Sequence, residues 1–369
     1  MKQDNLKINF RIFFCISIFL TLIGLIFVYS SSSVFALEKF NSANYFLKKQ
    51  LFFLIPAALG FIFFASISLK FLKKYAFLFF LLSLFLTILT FIPQLSIKVH
   101  GSNRWLNLFG FSVQPSEFLK FFLLIYIGAF LAKKEKYVKS FFNSYLPFLL
   151  ILGVTFLILL KQPDFGSVVT LMITAFFLFF IAEFSFFYLF ITLLLTIPAG
   201  IFLILTKSYR LHRILIFLNP WSDPRGGGFQ IIQSLIAIGS GSLWGVGISN
   251  SRQKFFYLPM QHTDFIFSII AEEVGFVGVF IIVFLYFLFC FFGFRIALKL
   301  SDSFAIFTVL GFIFLISLQS VINFMVVSGL LPTKGLGLPF ISYGGTALIC
   351  FWCMVGLIAN FVRNSGNSY

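Results

Sequence analysis

Acidic residues are scarce in this chain, and their scarcity narrows the search for a catalytic group. The 369 residues include 11 carboxylates, against 27 lysines and arginines. The carboxylates that we expect on or near the outer face of a membrane are Glu117, Asp164, Asp223 and Asp264. Asp264 follows a histidine and a threonine in a basic region. It could therefore act as a general base, or it could cap the helix that follows it.

Basic residues in the same connections could bind an anion. They are Arg104, Arg210, Arg213, Arg225, Arg252, Lys254 and Lys334. Such a set suits a pyrophosphate or an anionic lipid head group. Arginines near a membrane surface also extend toward phospholipid phosphates, and the sequence leaves both interpretations open.

The pattern gives little support to a metal or redox site. The three histidines are His100, His212 and His262. No pair of them has ligand spacing, so we predict no zinc site. Cys350 and Cys353 lie in an apolar run without a nearby histidine, and we interpret them as small residues of a span. We expect no tightly bound cofactor, although Mg²⁺ or Mn²⁺ could assist with Asp264 or Asp164 as an oxygen ligand.

Charged residues within apolar segments are candidates for function, because ionisable groups are costly there. Glu117 and Lys120 are three residues apart and would meet on one face of a helix. Glu272 and Glu273 would lie about 12 Å deeper than Asp264 along a helix, and the two cannot share its face. We expect either a proton relay or a structural ion pair with a basic residue of another span, such as Lys120.

The elements that position these groups must be membrane helices. Hydrophobic residues make up 60% of the chain, aromatic residues 21% and charged residues 10%. A soluble domain has about 25% charged residues, so the composition excludes an ordinary soluble enzyme, a disordered chain and a disulfide scaffold. The net charge of +16 is explained by basic loops that set membrane topology rather than by nucleic-acid binding.

The apolar runs predict an all-α integral membrane protein with ten transmembrane helices. They lie near residues 10–34, 50–69, 75–93, 117–132, 145–160, 165–183, 187–206, 265–294, 303–327 and 340–362. Thirteen basic residues fall on one side and seven on the short loops of the other, so both termini are expected in the cytoplasm. The prediction is a single domain, 1–369, with outer connections at 94–116 and 328–339. A large outer loop, 207–264, joins spans 7 and 8 and includes a short helix over 230–238.

Seven strings in collinear order resemble the SEDS family of shape, elongation, division and sporulation proteins. They are RWL (104–106), SVQPSE (112–117), KQPDFGS (161–167), NPWSDP (219–224), QSLIAIGSGSLWGVGISNSRQK (233–254), HTDFIFSIIAEEVGF (262–276) and LPTKGLGLPFISYGG (331–345). The resemblance covers nearly the whole chain. The NSRQK and LPFISYGG strings are more similar to the FtsW-like division members than to the RodA-like elongation members.

The resemblance implies an inverting glycosyltransferase that polymerises lipid II, an undecaprenyl-pyrophosphate-linked disaccharide-peptide, into peptidoglycan strands. It implies that Asp264 is the catalytic residue. The candidates for substrate binding are Arg104, Trp105 and Lys334 of the matching strings, together with Gln114, Arg210, Arg213 and His262. The residue chemistry agrees, because a pyrophosphate leaving group needs no general acid. One base among cations is then sufficient, unlike the two carboxylates of glycoside hydrolysis.

The resemblance also implies partners and a location. These are a class B penicillin-binding transpeptidase, divisome activator proteins, and the bacterial cytoplasmic membrane at the division septum. The chain departs from many relatives at Met260, where Glu is common, and at Gly337, where Thr is common. The alternatives are a lipid II flippase or transporter, an elongation polymerase and a non-catalytic scaffold. Crowding of polar residues toward the outer face favours the polymerase over the transporter.

Overall fold

The structure, a computed structural model, describes residues 2–99, 102–108, 111–134, 140–206, 208–255, 258–259 and 261–365. Its α-helices in those ranges are α1 (Lys2–Phe40), α2 (Tyr45–Ser66), α3 (Leu69–Leu89), α4 (Pro115–Lys134), α5 (Leu146–Lys161), α6 (Phe165–Ile181), α7 (Phe186–Leu205), α8 (Ser208–Leu218), α9 (Phe229–Ser240), α10 (Ile266–Ala297), α11 (Ser303–Val327) and α12 (Gly345–Arg363). A π-helical turn, Phe141–Tyr145, precedes α5, and a 3₁₀ turn, Pro220–Ser222, follows α8. His100, Met260 and the side chain of Arg210 lie outside the described part of the chain.

Eight helical segments in the described ranges are long and apolar enough to cross a membrane. They are α1 to α4, α5 with its π-helical turn, and α10 to α12. The predicted spans 165–183 and 187–206 coincide with α6 and α7, whose apolar helical segments are shorter. The structure thus agrees with a helical multi-span membrane protein, while the count of ten spans and the cytoplasmic termini stay predictions. The short helix expected over 230–238 is present as α9.

A small antiparallel sheet lies between α3 and α4, where the apolar pattern predicts only a connection. Its strands, in sheet order, are β1 (Ser96–Val99), β2 (Ser102–Leu108) and β3 (Phe111–Val113). In the central strand β2, Leu106 pairs with Ser96 on one side and with Val113 on the other. Because β2 is paired on both edges, it is a firm support for Arg104 and Trp105, which lie on it.

The most buried helices of the bundle are α4, α11 and α12. α12 packs along α2, α1 packs along α10, and α11 contacts both α4 and α10. Phe121 of α4 stacks on Phe312 of α11, with ring centroids 5.4 Å apart. By contrast, α7 exposes Phe186, Phe187 and Leu195, as a helix that faces lipid would.

The helix α10 is broken at Gly275, whose backbone has φ 65° and ψ −167°. A neighbouring segment, 242–247, pairs with the two sides of the break through its backbone. Two N–H groups of this segment donate to the carbonyl oxygens of residues 272–273. The N–H groups of residues 276–277 donate back to it, and all four N···O distances lie between 2.9 and 3.1 Å. The predicted continuous span 265–294 is therefore two half-helices whose free backbone groups are satisfied by the loop.

Candidate functional site

A cavity of about 580 Å³ lies where the connections of the helix bundle meet. Its lining comes from β2, the start of α4, α8, the residues before α10, α11 and the loop between α11 and α12. The polar lining includes Arg104, Trp105, Gln114, Glu117, Arg213, Asp264, Gln319 and Lys334. All of these except Gln319 are candidates from the sequence, so residues far apart along the chain meet at one site.

Asp264 lies one residue before the N-cap position of α10, and it lines the cavity. The N-cap residue of α10 is Phe265, so Asp264 does not occupy the N-cap position that the sequence left open. Burial raises the pKa of the Asp264 carboxyl to about 6, and Asp164 adds to this effect, while Arg104 and Arg213 oppose it. At neutral pH this carboxyl is mostly ionised, and it is a stronger base than an exposed aspartate.

Arg104 is held at the corner between α5 and α6. Its Nε donates to the carbonyl oxygen of Gln162 at 3.2 Å, and its Nη2 donates to that of Pro163 at 2.5 Å. These two bonds fix the plane of the guanidinium group. A Cβ atom built on Gly335 would lie 3.9 Å from Nη1 of Arg104 and 3.3 Å from Oδ2 of Asp264. The glycine therefore keeps space open between the cation and the carboxylate.

Arg213 and Lys334 bring two further cations to the lining of the cavity. Nη1 of Arg213 in α8 donates to the carbonyl oxygen of Thr333 at 3.4 Å, which links α8 to the loop that carries Lys334. Nζ of Lys334 lies 5.6 Å from the ring centre of Phe165, and burial lowers the pKa of Lys334. Within the described residues neither cation forms a salt bridge, so both can meet an anionic substrate group.

Glu117 and Lys120 form the buried pair that their spacing on α4 predicts. Nζ of Lys120 lies 2.7 Å from Oε1 of Glu117, and the two side chains are 2% and 9% exposed. Glu117 lines the cavity. Just before α4, the N–H of Gln114 donates to Oγ1 of Thr346 at 3.2 Å and joins this wall to α12. The pair makes the wall polar without adding net charge.

His262 is not among the residues that line the cavity. Its ring packs against Phe46, with centroids 4.3 Å apart, and against Phe35, with centroids 5.8 Å apart. Burial lowers the pKa of His262 to about 4, so the imidazole is neutral at physiological pH. This position indicates a packing role rather than the substrate contact expected from the sequence.

Glu272 stabilises the loop that precedes Asp264. Its carboxylate accepts a hydrogen bond from Oγ of Ser251 at 2.5 Å and another from the backbone N–H of Arg252 at 2.8 Å. Neither contact involves the cavity. Of the two alternatives for this residue, the structure favours the structural contact over the proton relay.

Glu273 has a structural contact as well, but with different partners from those expected. Its Oε1 accepts a hydrogen bond from Oγ of Ser30 in α1 at 2.5 Å and lies 3.9 Å from Nζ of Lys254. The basic residue near Glu273 is not Lys120, which the sequence analysis gave as an example and which binds Glu117 instead. The true partner comes from the loop before α10, whose path the sequence pattern does not reveal.

Two residues of α11 belong to the site although the pattern of acids and cations does not indicate them. Gln319 and Asn323 are four residues apart, so they lie on one helix face, and both are buried. Nε2 of Gln319 donates to the carbonyl oxygen of Gly337 at 2.9 Å, and Nδ2 of Asn323 donates to that of Asp264 at 2.9 Å. Polar residues at i and i+4 in an otherwise apolar span are the signal that could have found them.

The described residues contain no group of three or more His, Cys, Asp or Glu side chains arranged to hold a metal ion. Asp164, one of the two candidate ligands for Mg²⁺ or Mn²⁺, caps α6 instead. Its carboxylate accepts hydrogen bonds from the N–H of Ser167 at 3.2 Å and from Oγ of Ser167 at 2.8 Å. Assistance by a divalent cation stays a prediction, with Asp264 as the carboxylate that lines the cavity.

Comparison with known proteins shows which family this chain belongs to. A family model described as "Cell cycle protein" (FtsW, RodA, SpoVE) matches residues 10–367. The chain is 43% identical over 344 residues to "Probable peptidoglycan glycosyltransferase FtsW" of Geobacter sulfurreducens, covering 92% of this chain and 91% of the relative. It is 39% identical over 350 residues to "Stage V sporulation protein E" of Bacillus subtilis, covering 95% and 96% of the two chains.

Solved structures extend the similarity to three dimensions. A chain from the structure titled "Structural coordination of polymerization and crosslinking by a peptidoglycan synthase complex" has a TM-score of 0.76 and 29% identity. The match covers 95% of this chain and 97% of the other. With the family match over almost its whole length, the chain belongs to the FtsW/RodA/SpoVE family of cell cycle proteins.

Proposed function

We propose that this protein is a peptidoglycan glycosyltransferase that polymerises lipid II on the outer face of the bacterial cytoplasmic membrane. The observation that carries the proposal is the arrangement in the cavity. Among the described residues of the lining, Asp264 is the one carboxylate without a salt bridge, and it shares the lining with Arg104, Arg213 and Lys334. The names of the relatives, which include peptidoglycan glycosyltransferases, support the same activity.

The chemistry of such a transfer fits this inventory. Asp264 accepts the proton of the acceptor sugar 4-hydroxyl, whose oxygen forms a bond to the anomeric carbon of the donor sugar. The bond from that carbon to the pyrophosphate oxygen breaks, and the pyrophosphate-lipid leaves with the electron pair. The cations of the lining stabilise the negative charge that develops on this leaving group. Attack from the opposite face inverts the anomeric carbon, as expected for one base without a carboxylate nucleophile.

The state of the base supports the same role. A carboxyl with a pKa of about 6 is mostly ionised at neutral pH, yet it accepts a proton more readily than an ordinary aspartate. Glu117, the other carboxylate of the lining, already accepts a hydrogen bond from Lys120 at 2.7 Å. Because the carboxylate of Glu117 already has a buried lysine as its partner, Asp264 is the better candidate for the base.

The cellular role is part of the proposal. Relatives that carry the FtsW name, together with the NSRQK and LPFISYGG strings, favour septal synthesis during cell division over elongation. One solved structure with a similar fold comes from a peptidoglycan synthase complex, and its title names the coordination of polymerization and crosslinking. We therefore propose a class B penicillin-binding transpeptidase as the partner and divisome proteins as activators.

The test is a polymerisation assay with purified protein, its transpeptidase partner and labelled lipid II. The wild type should form glycan strands, and the Asp264→Asn variant should form none. If the wild type moves lipid II across vesicles without forming strands, the transporter alternative replaces the polymerase. Strand formation by Asp264→Asn at the wild-type rate would instead support a scaffold or another base.

A further inference from the structure

The segment that carries Asp264 is attached through three successive backbone carbonyls. The carbonyl oxygens of residues 262–264 accept hydrogen bonds, in order, from the N–H of Tyr343 at 3.0 Å, from Oγ of Ser342 at 2.6 Å and from Nδ2 of Asn323 at 2.9 Å. The segment itself is not helical, because α10 begins only at Ile266. Besides these hydrogen bonds, the ring of His262 packs against Phe35 and Phe46. Through the hydrogen bonds, the position of the segment depends on α11 and on the loop 331–344, which we call the lysine loop.

Of these three donors, only Asn323 lies on α11, and it also binds the lysine loop. Its Nδ2 donates to the carbonyl oxygen of Asp264 and, at 2.8 Å, to that of Leu336. The N–H of Leu336 donates in turn to the carbonyl oxygen of Lys334 at 2.9 Å. One amide group thus joins the backbone of the carboxylate to the backbone beside the cation.

The chemistry of the contact requires an amide. A single NH₂ group supplies two donors in one plane, and carbonyl oxygens can only accept, so the orientation of the side chain is determined by its partners. Asn323 is 2% exposed, and water cannot readily replace it. It stands on α11, one of the most buried helices, which makes it a rigid reference for both loops.

We propose that Asn323 is a positioning residue that holds Asp264 and the lysine loop as one unit, so that base and pyrophosphate-binding cation keep their spacing during glycosyl transfer. This inference rests on the proposed function. A displacement of about 1 Å at a reacting group is enough to lower turnover by about 100-fold. Asn323 is not among the residues that line the cavity, and it acts through the backbone of residues that are.

The chain contains a matched control for this contact. Asn360 of α12 is also buried, and its Nδ2 also donates to two backbone carbonyls, those of Phe64 at 2.9 Å and Ile67 at 2.7 Å. These acceptors lie at the end of α2 and outside the lining of the cavity. Asn360→Leu therefore removes the same kind of contact without touching the catalytic segment.

The first readout is turnover of lipid II. We expect Asn323→Leu, and also Asn323→Asp, which keeps the shape but loses the NH₂ group, to lower kcat by about 100-fold. Asn360→Leu, compared at equal folded fraction, should stay within about threefold of wild type. Wild-type kcat in both Asn323 variants, or equal losses at both positions, would overturn the proposal.

The second readout is the pH profile of activity. A loss of folded protein alone would lower the rate by the same factor at every pH and would leave the midpoint of the profile unchanged. The carboxyl of Asp264 is faced by Arg104 of β2, Arg213 of α8, Asp164 before α6 and Lys334 of the lysine loop. Release of the segment exposes the carboxyl, whose pKa is raised by burial more than it is lowered by the two arginines, so the acid midpoint of kcat/KM should move to lower pH in Asn323→Leu. An unmoved midpoint would contradict the positioning role.

A third readout is independent of activity and separates this inference from the proposed function. Amide hydrogen exchange should accelerate in peptides that cover 262–266 and 335–343 together in Asn323→Leu, but not in Asn360→Leu. Suppose that the wild type forms no strands but that exchange accelerates in both peptides of Asn323→Leu. The proposed function would then be wrong, while the structural role of Asn323 in holding the two loops together would be supported. If exchange in these two peptides stayed at wild-type rates in Asn323→Leu, the proposal that Asn323 holds the two loops together would be wrong.

Discussion

The environment of Asp264 predicts how the polymerisation rate falls at acid pH. Burial raises the pKa of this carboxyl to about 6. A base with that pKa is about 90% ionised at pH 7 and about 10% ionised at pH 5. If Asp264 is the general base, kcat/KM, which reports the substrate-free enzyme, should therefore fall about tenfold between pH 7 and pH 5. An aspartate with an ordinary pKa would stay about 90% ionised at pH 5 and would give almost no change.

Replacing an arginine near Asp264 should shift the midpoint of this pH profile. Arg213 lowers the pKa of Asp264, so Arg213→Gln should raise that pKa and move the midpoint of kcat/KM to higher pH. Lys334→Met is the matched control, since Lys334 lines the cavity but is not among the charges that perturb Asp264. It should weaken apparent lipid II binding while the midpoint stays in place.

The assay is the initial rate of glycan strand formation at lipid II concentrations well below KM, where the rate is proportional to kcat/KM, measured from pH 5 to pH 8 in buffers of equal ionic strength. Incubation at pH 5 followed by assay at pH 7 separates titration from denaturation. A flat rate down to pH 5 would refute the assignment of Asp264 as a base of raised pKa. A shift of equal size in Arg213→Gln and Lys334→Met would refute the specific effect of Arg213.

Three further predictions concern the groups that support the site. Lys120→Met should lower the unfolding free energy by about 3–5 kcal/mol, because it leaves Glu117 buried and unpaired, and the double variant Glu117→Leu/Lys120→Met should recover most of the loss in thermal melts. Gly275→Ala should lower Tm by several degrees, because φ is 65° and the new Cβ would lie 2.7 Å from a backbone atom of the loop. Gly153→Ala is the control, and it should leave Tm unchanged because the space around Gly153 is open. Arg104→Lys should lower kcat/KM by about tenfold, since a lysine cannot keep both carbonyl contacts and the fixed plane, and wild-type kcat/KM would show that charge alone is sufficient.

Much of the site could be predicted from the sequence because its chemistry uses residue types that are rare in this chain. With 11 acidic residues in all, few carboxylates were available near the outer face, and Asp264 is one that lines the cavity. Arg104, Arg213 and Lys334 come from connections far apart in the chain. Charge and the resemblance to the family identify them, whereas their convergence is a property of the fold.

Other features depend on contacts that no local pattern encodes. His262 has the polarity of a substrate ligand, but two aromatic side chains from α1 and α2 bury its ring. The break at Gly275 depends on a loop that pairs with it from about thirty positions earlier, so an apolar run reads as one continuous helix. The three short strands between α3 and α4 form because they pair with each other, and strands of this length carry little signal of their own.

Asn323 is the clearest example of a residue whose role could not be predicted from the sequence. Its position in an apolar span marks it as unusual, but the two carbonyls that it binds belong to loops 59 and 13 residues away. Sequence reasoning could identify the residue as polar and buried. Its partners became known only with the fold.

The most direct test of the account is a comparison of lipid II binding and single-turnover transfer in wild type and Asp264→Asn, with the transpeptidase partner present. Asparagine keeps the shape of the side chain and removes the base. We expect Asp264→Asn to bind lipid II with an affinity within about threefold of wild type and to form glycosidic bonds at least about 1,000-fold more slowly. Transfer by Asp264→Asn at the wild-type rate would contradict the role of Asp264 as the catalytic base.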